Sequence, residues 1–201
     1  MLKISTAARL ALLAVIALLA SGCTSQEQEW NGKNITGVMP DLEFQLTDTR
    51  NGQVTAEDYD GQVRLLFFGF TSCPDVCPTA LAHIQRSINQ MPEEYRDQVT
   101  VLFVSVDPAR DTPELIGEYV DFFGANIVGL TAEEPRLREL AKRYRTTFSY
   151  GEPDGHGNYQ VSHSSAIYVF DPRGRIRLLL RPELPSEQVA EDLARLVPAD
   201  S

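Results

Sequence analysis

Apolar residues follow two kinds of spacing along this chain, one typical of strands and one typical of helices. Five segments have strand patterns, at residues 42–46, 63–70, 99–106, 166–170 and 176–180. The second and third are nearly continuous apolar runs, which indicates central strands that are covered on both faces. The last two flank Asp171-Pro172-Arg173-Gly174, so they predict a β-hairpin.

Between these strands, apolar residues recur at helical spacing. One helix is predicted from Pro78 to Met91, and another follows Asp111-Thr112-Pro113, a cap with proline at the first helical position. Thr131 and Glu134 form a capping-box pattern before a third helix. A last helix is predicted from about Ser186 to Leu196.

This alternation of strands and helices, closed by a hairpin and a helix, predicts one α/β domain over residues 41–201. We expect a thioredoxin-like fold with a central mixed sheet flanked by helices. The chain has 201 residues, which suits a single domain, since domains usually contain roughly 100–200 residues.

Residues 1–22 have the pattern of an export signal. Lys3 and Arg9 precede an apolar run from Leu10 to Ala20, which is shorter than the roughly 20 apolar residues that span a bilayer. Small residues then lead to Cys23, as in bacterial lipoprotein signals, where this cysteine is lipidated. We therefore predict a domain that a lipid anchors to the periplasmic side of a bacterial membrane. The alternative is a plain secretory signal in which Cys23 has no role.

Residues 23–40 are expected to form the lipidated cysteine and a polar linker, because they contain glycine and proline and show little periodicity. The rest of the chain is acidic. Without residues 1–22 it has 16 basic and 28 acidic residues, a net charge of −12. Nucleic-acid binding requires clustered lysine and arginine that contact phosphates, so this balance argues against that class of function.

Two cysteines of the exported domain lie where a buried strand passes into a helix. Cys73 and Cys77 belong to the segment FTSCPDVCP at residues 70–78, and both precede proline, which disfavours helical backbone. We therefore expect the helix to begin at Pro78, with both thiols on the loop at its N-terminus, where the helix dipole favours thiolate. A structural disulfide here would close a very short loop and add little stability, so we interpret the pair as a chemical site.

Three histidines are candidates for a third ligand. His83 lies beyond the first turn of the predicted helix and His156 lies in a glycine-containing loop, so neither is favoured. His163 comes just before the strand that opens the closing hairpin, and in a thioredoxin-like sheet the start of that strand faces the cysteine turn. By position alone, a ligand is only slightly favoured at His163 over a hydrogen-bonded structural histidine.

Two thiolates and one imidazole would form a soft metal site. Thiolates select Cu(I) or zinc over hard cations, and imidazole suits copper and zinc alike. Three protein ligands are one fewer than a structural zinc site usually has. A site with a free coordination position suits a metal ion that the protein transfers to another protein.

Three segments resemble the Sco/SenC family: FTSCPDVCPT at residues 70–79, SVDPARDTPE at 105–114, and His163 before AIYVFDP at 166–172. The resemblance covers about residues 40–197. Family members are thioredoxin-fold copper proteins of the bacterial periplasm and the mitochondrial intermembrane space, which bind copper through the two cysteines of a C-x-x-x-C motif and one distal histidine. The resemblance thus implies that Cys73, Cys77 and His163 bind copper, as Cu(I), Cu(II) or both.

The same resemblance implies a function. Family members assist the assembly of the binuclear copper centre of cytochrome c oxidase, by delivering copper or by reducing the target's cysteines. The expected partner is therefore the oxidase's copper subunit or another periplasmic copper protein.

Ser162 and Asp107 lie in or beside the segments that resemble the family. The family commonly has aspartate directly before the metal-binding histidine, where this chain has Ser162, and a carboxylate there could orient the imidazole. Asp107 follows a strand and precedes Pro108, a position at least as typical of a turn residue, and is left out of the site.

The alternative function is a thiol–disulfide oxidoreductase in which Cys73 and Cys77 act as a redox-active pair without a required metal. Three residues separate the two cysteines, whereas thioredoxins have two. Ser164 and Ser165 also stand before the next strand, where such oxidoreductases carry a proline that receives substrate backbone. Both features favour the copper protein.

Overall fold

The structure is a computed structural model that describes residues 29–50 and 52–198. The predicted export signal and Cys23 lie outside these residues. Among the described residues, no helix has the length and apolar character needed to cross a bilayer.

In the described part of the chain, eight strands form one mixed sheet and two more form a separate pair. The strands are β1 (Lys33–Asn34), β2 (Gln45–Asp48), β3 (Gly52–Thr55), β4 (Val63–Gly69), β5 (Val99–Ser105), β6 (Ile127–Thr131), β7 (Phe148–Tyr150), β8 (Val161–His163), β9 (Ile167–Phe170) and β10 (Ile176–Leu180). The order in the large sheet is β1-β10-β9-β4-β5-β6-β2-β3, while β7 pairs with β8.

Four of the described helices alternate with these strands as the sequence predicts, and a short one, Glu93–Arg96, is an addition. They are α1 (Val76–Gln90), α2 (Glu93–Arg96), α3 (Pro113–Phe123), α4 (Glu134–Arg143) and α5 (Ser186–Ala194), together with a 3₁₀ turn at Ala56–Tyr59. The predicted start of α3 is confirmed, because Thr112 caps it by accepting a hydrogen bond from the Leu115 N–H, and Pro113 comes next.

The two predicted central strands form the middle of the large sheet. Every residue of β4 and β5 is buried, and the two strands pair in parallel from Val63 opposite Val99 to Gly69 opposite Ser105. The strand β6 continues the parallel pairing, whereas β9 lies antiparallel to β4. A mixed sheet whose two central strands are buried on both faces is therefore confirmed, as is the predicted β9–β10 hairpin.

The segment predicted as a linker is attached to the domain from Trp30 onwards. Two residues of it form β1, which pairs with β10, and the Gly32 N–H donates to the Asp192 carboxylate at 2.7 Å. The guanidinium carbon of Arg195 lies 3.9 Å from the centroid of a Trp30 ring. These contacts depend on residues near the other end of the chain, so the local composition does not reveal them.

Other differences concern short elements. The strand predicted at residues 42–46 begins at Gln45, although Leu42 is buried as expected. The strand β6 was not predicted, and neither was the β7–β8 pair, because three to five residues carry little periodic pattern. The capping box at Thr131 is wrong: Thr131 ends β6, and α4 follows Glu133 without a side-chain cap.

Candidate metal centre

The two cysteines lie at the end of β4, where the central sheet passes into α1. The helix begins at Val76, two residues before the predicted start, so Cys77 is in its first turn and Cys73 is on the preceding loop. Pro78 does not prevent this, since the first N–H groups of a helix have no acceptor within the helix. Cys77 is buried, whereas Cys73 is partly exposed, and both are free thiols.

The sulfur of Cys73 supplies an acceptor at the start of α1. The N–H of Cys77 lies 3.4 Å from this sulfur, while Asp75, the residue before the helix, makes no side-chain cap. The Cys73 sulfur thereby satisfies one of the N–H groups that have no acceptor within the helix.

Gly69, the last residue of β4, provides space for Cys77. A Cβ atom on Gly69 would lie 2.5 Å from the Phe103 ring and 2.8 Å from the Cys77 sulfur. Both distances are shorter than real Cβ contacts, so the sulfur can occupy its position because residue 69 has no side chain.

Asp111 binds the loop that carries Cys73. In the sequence, Asp111 looks like a residue of the helix cap before Pro113, so this contact is not predicted. Its carboxylate is 2% exposed and accepts hydrogen bonds from the Thr71 N–H at 2.9 Å and the Thr71 hydroxyl at 2.6 Å. The Ser105 hydroxyl at the end of β5 donates to it at 2.5 Å. Asp111 therefore ties the cysteine loop to the neighbouring central strand.

His163 reaches the cysteines from the β7–β8 pair, where it is the last residue of β8. Its Nε2 atom lies 3.3 Å from the Cys77 sulfur and 3.9 Å from the Cys73 sulfur. The three ligand atoms all lie within 4.8 Å of one another. The structure thus brings together the three residues that the sequence suggested as ligands, whereas His83 and His156 are not members of this group.

The imidazole of His163 is oriented by its other nitrogen. Nδ1 lies 3.0 Å from the Ser164 carbonyl oxygen, which can only accept, so Nδ1 carries the proton and Nε2 presents a lone pair to the sulfurs. The ring also meets the Phe70 ring edge to face, with centroids 5.6 Å apart. Ser162 is exposed. A backbone carbonyl therefore supplies the orienting hydrogen bond that an aspartate before the histidine could provide.

Burial controls the charges at the centre. Burial lowers the pKa of His163 below its ordinary value. Hydrogen bonds to the carbonyls of Ser164 and Phe68 raise this pKa but do not outweigh burial, so the imidazole is neutral at pH 7. Burial likewise raises the pKa of the Cys77 thiol. The thiolate expected at the helix N-terminus is therefore not favoured at Cys77 in the metal-free protein. A bound cation would reverse this balance by displacing the proton, as metal binding to thiols does.

The donor set fits a soft metal ion. Bonds of about 2.0–2.3 Å to imidazole nitrogen and thiolate sulfur require ligand atoms roughly 4 Å apart. The separations of 3.3 and 3.9 Å between His163 Nε2 and the two sulfurs are close to this value. Two sulfurs and one nitrogen suit Cu(I), and the fourth position that a structural zinc site would fill has no protein ligand in this group.

The chain matches one protein family over most of its length. The family model described as SCO1/SenC matches residues 37–198. The protein sco1 of Schizosaccharomyces pombe is 35% identical over 157 residues, which cover 77% of this chain and 58% of that protein. The mitochondrial SCO1 homolog of Homo sapiens is 38% identical over 132 residues, or 65% of this chain and 44% of that protein. The matched region thus spans about half the length of these two relatives.

Solved structures have the same fold. Bradyrhizobium japonicum ScoI with copper bound is 35% identical, with a TM-score of 0.70, covering 78% of this chain and 98% of that one. A SCO1/SenC family lipoprotein of Bacillus anthracis is 26% identical, with a TM-score of 0.65, covering 79% of this chain and 95% of that one. The expected thioredoxin-like α/β fold is confirmed.

Proposed function

The chain belongs to the SCO1/SenC family, and we propose on that basis that it is a copper-binding metallochaperone on the periplasmic side of a bacterial membrane. It helps to assemble the binuclear copper centre of cytochrome c oxidase. The observation that carries the proposal is the convergence of Cys73, Cys77 and His163, whose ligand atoms lie within 4.8 Å of one another. Copper is the cargo of this protein, and its copper-bound structural neighbour supports that choice of metal.

The unequal exposure of the two cysteines suggests an order for ligand exchange. Cys73 is partly exposed on its loop, whereas Cys77 is buried in the first turn of α1. An incoming thiolate or imidazole of the acceptor would therefore replace the Cys73 sulfur first. Cys77 and His163 would keep the ion bound until further acceptor ligands have attached.

The same pair of thiols can reduce a disulfide of the target. The Cys73 thiolate would attack one target sulfur, and the second target sulfur would leave as a thiolate. Cys77 would then lose its proton and attack the Cys73 sulfur of the mixed disulfide. The target thus gains two electrons and is released as a dithiol, while Cys73 and Cys77 become a disulfide. Copper delivery and cysteine reduction both need the reduced form of this pair.

Membrane attachment is proposed through lipid on Cys23. The pattern of residues 1–22 supports it, as does the likeness to a family lipoprotein. The intact mass of protein extracted from membranes measures the modification directly, and Cys23→Ser is the control. A wild-type mass equal to that of an unmodified mature chain would contradict the anchor.

The copper site is tested by metal content and by Cu(I) and Cu(II) affinity of the purified protein. Cys73→Ala and Cys77→Ala should each lose tight copper binding, whereas Cys23→Ser, which removes a cysteine outside the site, should keep it. Equal copper affinity in wild type and both site variants would refute the proposal. If the wild type took up negligible copper but reduced disulfides through Cys73 and Cys77, the oxidoreductase alternative would replace it.

The role in assembly is tested in cells that lack the chain. Restoring the wild-type gene should restore the absorbance of the binuclear copper centre in purified oxidase, and restoring Cys77→Ala should not. Haem content of the oxidase is the internal reference. Full copper loading of the oxidase with Cys77→Ala would contradict a role for this site.

A further inference from the structure

The metal centre is divided between two parts of the fold. Both sulfurs belong to the loop and helix that follow β4 in the large sheet, whereas His163 ends the separate β7–β8 hairpin. The pairing between Phe148 and His163 holds the histidine within the hairpin but does not attach the hairpin to the large sheet. Residues 164–166 join His163 to β9 of the large sheet, and the position of the hairpin before it also depends on side chains that fasten the hairpin to the body of the protein.

A buried carboxylate provides one such fastening. Asp107, directly after β5, has no exposed surface and accepts a hydrogen bond from the Tyr159 hydroxyl at 2.6 Å and an ion-paired hydrogen bond from Nε of Arg110 at 2.5 Å. Tyr159 lies two residues before β8. The phenol thus links the hairpin to the loop that follows a central strand.

Arg110 strengthens the same link. Its Nη1 donates to the Tyr159 carbonyl at 3.0 Å, and its guanidinium carbon lies 3.9 Å from the centroid of the Tyr159 ring. The guanidinium is also 5.9 Å from the Phe70 ring, which meets the imidazole of His163 edge to face. We call Asp107, Arg110 and Tyr159 the Asp107 clamp.

The clamp keeps its hydrogen bonds over the physiological pH range. Burial and the hydrogen bond to Asp107 raise the pKa of Tyr159 to about 12, so the phenol remains a donor. A second tie lies nearby, since the Tyr150 hydroxyl donates to the Val106 carbonyl at 2.6 Å. The hairpin is therefore attached to the stretch Val106–Arg110 through Tyr150 in β7 and Tyr159 before β8, and to α4 through Arg138, whose Nη1 donates to the Phe148 carbonyl at 3.4 Å.

We propose that Asp107, Arg110 and Tyr159 are positioning residues of the metal centre, which hold the β7–β8 hairpin so that His163 stays within reach of both sulfurs. The inference rests on the proposed function for the identity of the ion. The juxtaposition of hairpin and cysteines is a property of the metal-free protein and can be measured without copper.

The first test is Tyr159→Phe, which removes the hydroxyl and keeps the ring. We expect copper affinity to fall about tenfold, the lower end of the loss seen when a residue that orients a metal ligand is replaced. In the metal-free protein, amide hydrogen exchange in residues 148–150 and 161–163 should become faster. The imidazole-nitrogen hyperfine coupling of the Cu(II) form should weaken.

A matched control exists elsewhere in the fold. The Tyr59 hydroxyl donates to the buried Asp48 carboxylate at 2.7 Å, so Tyr59→Phe removes the same kind of hydrogen bond from the 3₁₀ turn. Tyr59→Phe should change copper affinity and hairpin exchange less than twofold, whatever its effect on the unfolding temperature.

A second pair of variants separates charge from geometry. Arg110→Met and Arg110→Lys should both weaken copper binding, because lysine keeps the charge but not the planar group that contacts Tyr159. Wild-type affinity and wild-type hairpin exchange in Tyr159→Phe and Arg110→Met would overturn the clamp. If wild-type protein bound no copper, the proposed function would fail, and hairpin exchange in the same variants would still decide the clamp.

Discussion

The sulfur of Cys77 lies 3.3 Å from Nε2 of His163, although 86 residues separate the two along the chain. One residue is in the first turn of a helix that follows a central strand, and the other ends a hairpin outside the main sheet. Their contact is the feature that distinguishes a three-ligand copper centre from an isolated pair of thiols.

Replacing His163, the proposed third ligand, should lower copper affinity more than replacing any residue that only positions it. Replacing a residue that only orients a metal ligand usually lowers metal affinity by about 10–100-fold. Because His163 would bind the metal directly, His163→Ala should lower copper affinity by at least about 100-fold. His156→Ala is the control, since His156 is exposed and outside the group. Competition with a chromophoric Cu(I) chelator measures both variants. Equal affinity for His163→Ala and wild type would exclude His163 as a ligand.

Gly69→Ala should disturb both packing and the metal centre. The added methyl group would lie 2.5 Å from the Phe103 ring and 2.8 Å from the Cys77 sulfur, and overpacking of this kind costs about 1–3 kcal/mol. We expect a lower free energy of unfolding, measured in urea, together with weaker copper binding. Gly155→Ala is the control, because no atom lies within 4 Å of its added Cβ. If Gly69→Ala had the unfolding free energy and copper affinity of the wild type, the Cys77 sulfur would have enough space to shift away from the added methyl group.

Asp111→Asn should loosen the loop that carries Cys73. The amide can keep these contacts only if its nitrogen donates to the Thr71 hydroxyl, and its uncharged oxygen then accepts from the Thr71 N–H and from Ser105. Hydrogen bonds to charged groups contribute about 1.5–3 kcal/mol and neutral ones about 0.5–1.5 kcal/mol, so the loss should be about 1 kcal/mol or more. The free energy of unfolding should fall by that amount, and the reactivity of Cys73 toward an alkylating reagent should rise. Asp75→Asn, at an exposed position on the same loop, should leave both quantities near wild type. Unchanged reactivity in Asp111→Asn would mean that the loop is held by other contacts.

The free energy of unfolding should decrease at acidic pH, because Asp171 becomes protonated there. Burial by itself raises the pKa of this carboxyl, but hydrogen bonds from the Arg175 side chain and from the N–H groups of Arg175 and Arg173 outweigh burial and lower it. A carboxyl with a lowered folded-state pKa stabilises the fold fully above its unfolded pKa of about 3.9, and this contribution is lost as pH falls through the folded value.

Asp171→Asn removes that titration. In urea unfolding measured between pH 2 and pH 6, the variant should be less stable than wild type near pH 6, and the difference should shrink toward pH 2. A difference that stayed constant with pH would show that Asp171 acts through its shape and not through its charge.

Much of the site follows from local sequence. The runs at residues 63–70 and 99–106 are buried on both faces because nearly every side chain in them is apolar, and no packing detail is needed to see that they are central. The position of two cysteines between such a strand and a helix follows from the same pattern. The start of α1 was less predictable, since proline disfavours helical backbone at the residue before it, yet Cys77 lies in the first turn of the helix.

The roles of the charged groups could be recognised only in the folded structure. Asp111 and Asp107 resemble cap and turn residues in the sequence, and their partners Thr71 and Tyr159 are 40 and 52 residues away. The same holds for the thiol of Cys77. The helix dipole, readable from the sequence, favours thiolate there, while the burial that raises its pKa depends on how neighbouring strands and helices pack.

By itself, then, the sequence determined the central strands, the longer helices and the chemical class of the proposed ligands, because hydrophobic periodicity and side-chain chemistry act over a few residues. Only the tertiary structure decided that an imidazole and two sulfurs meet, which groups are shielded from water and which side chains hold the hairpin. Those properties depend on distances between residues far apart in the chain, and such distances are set by the packing of the whole domain.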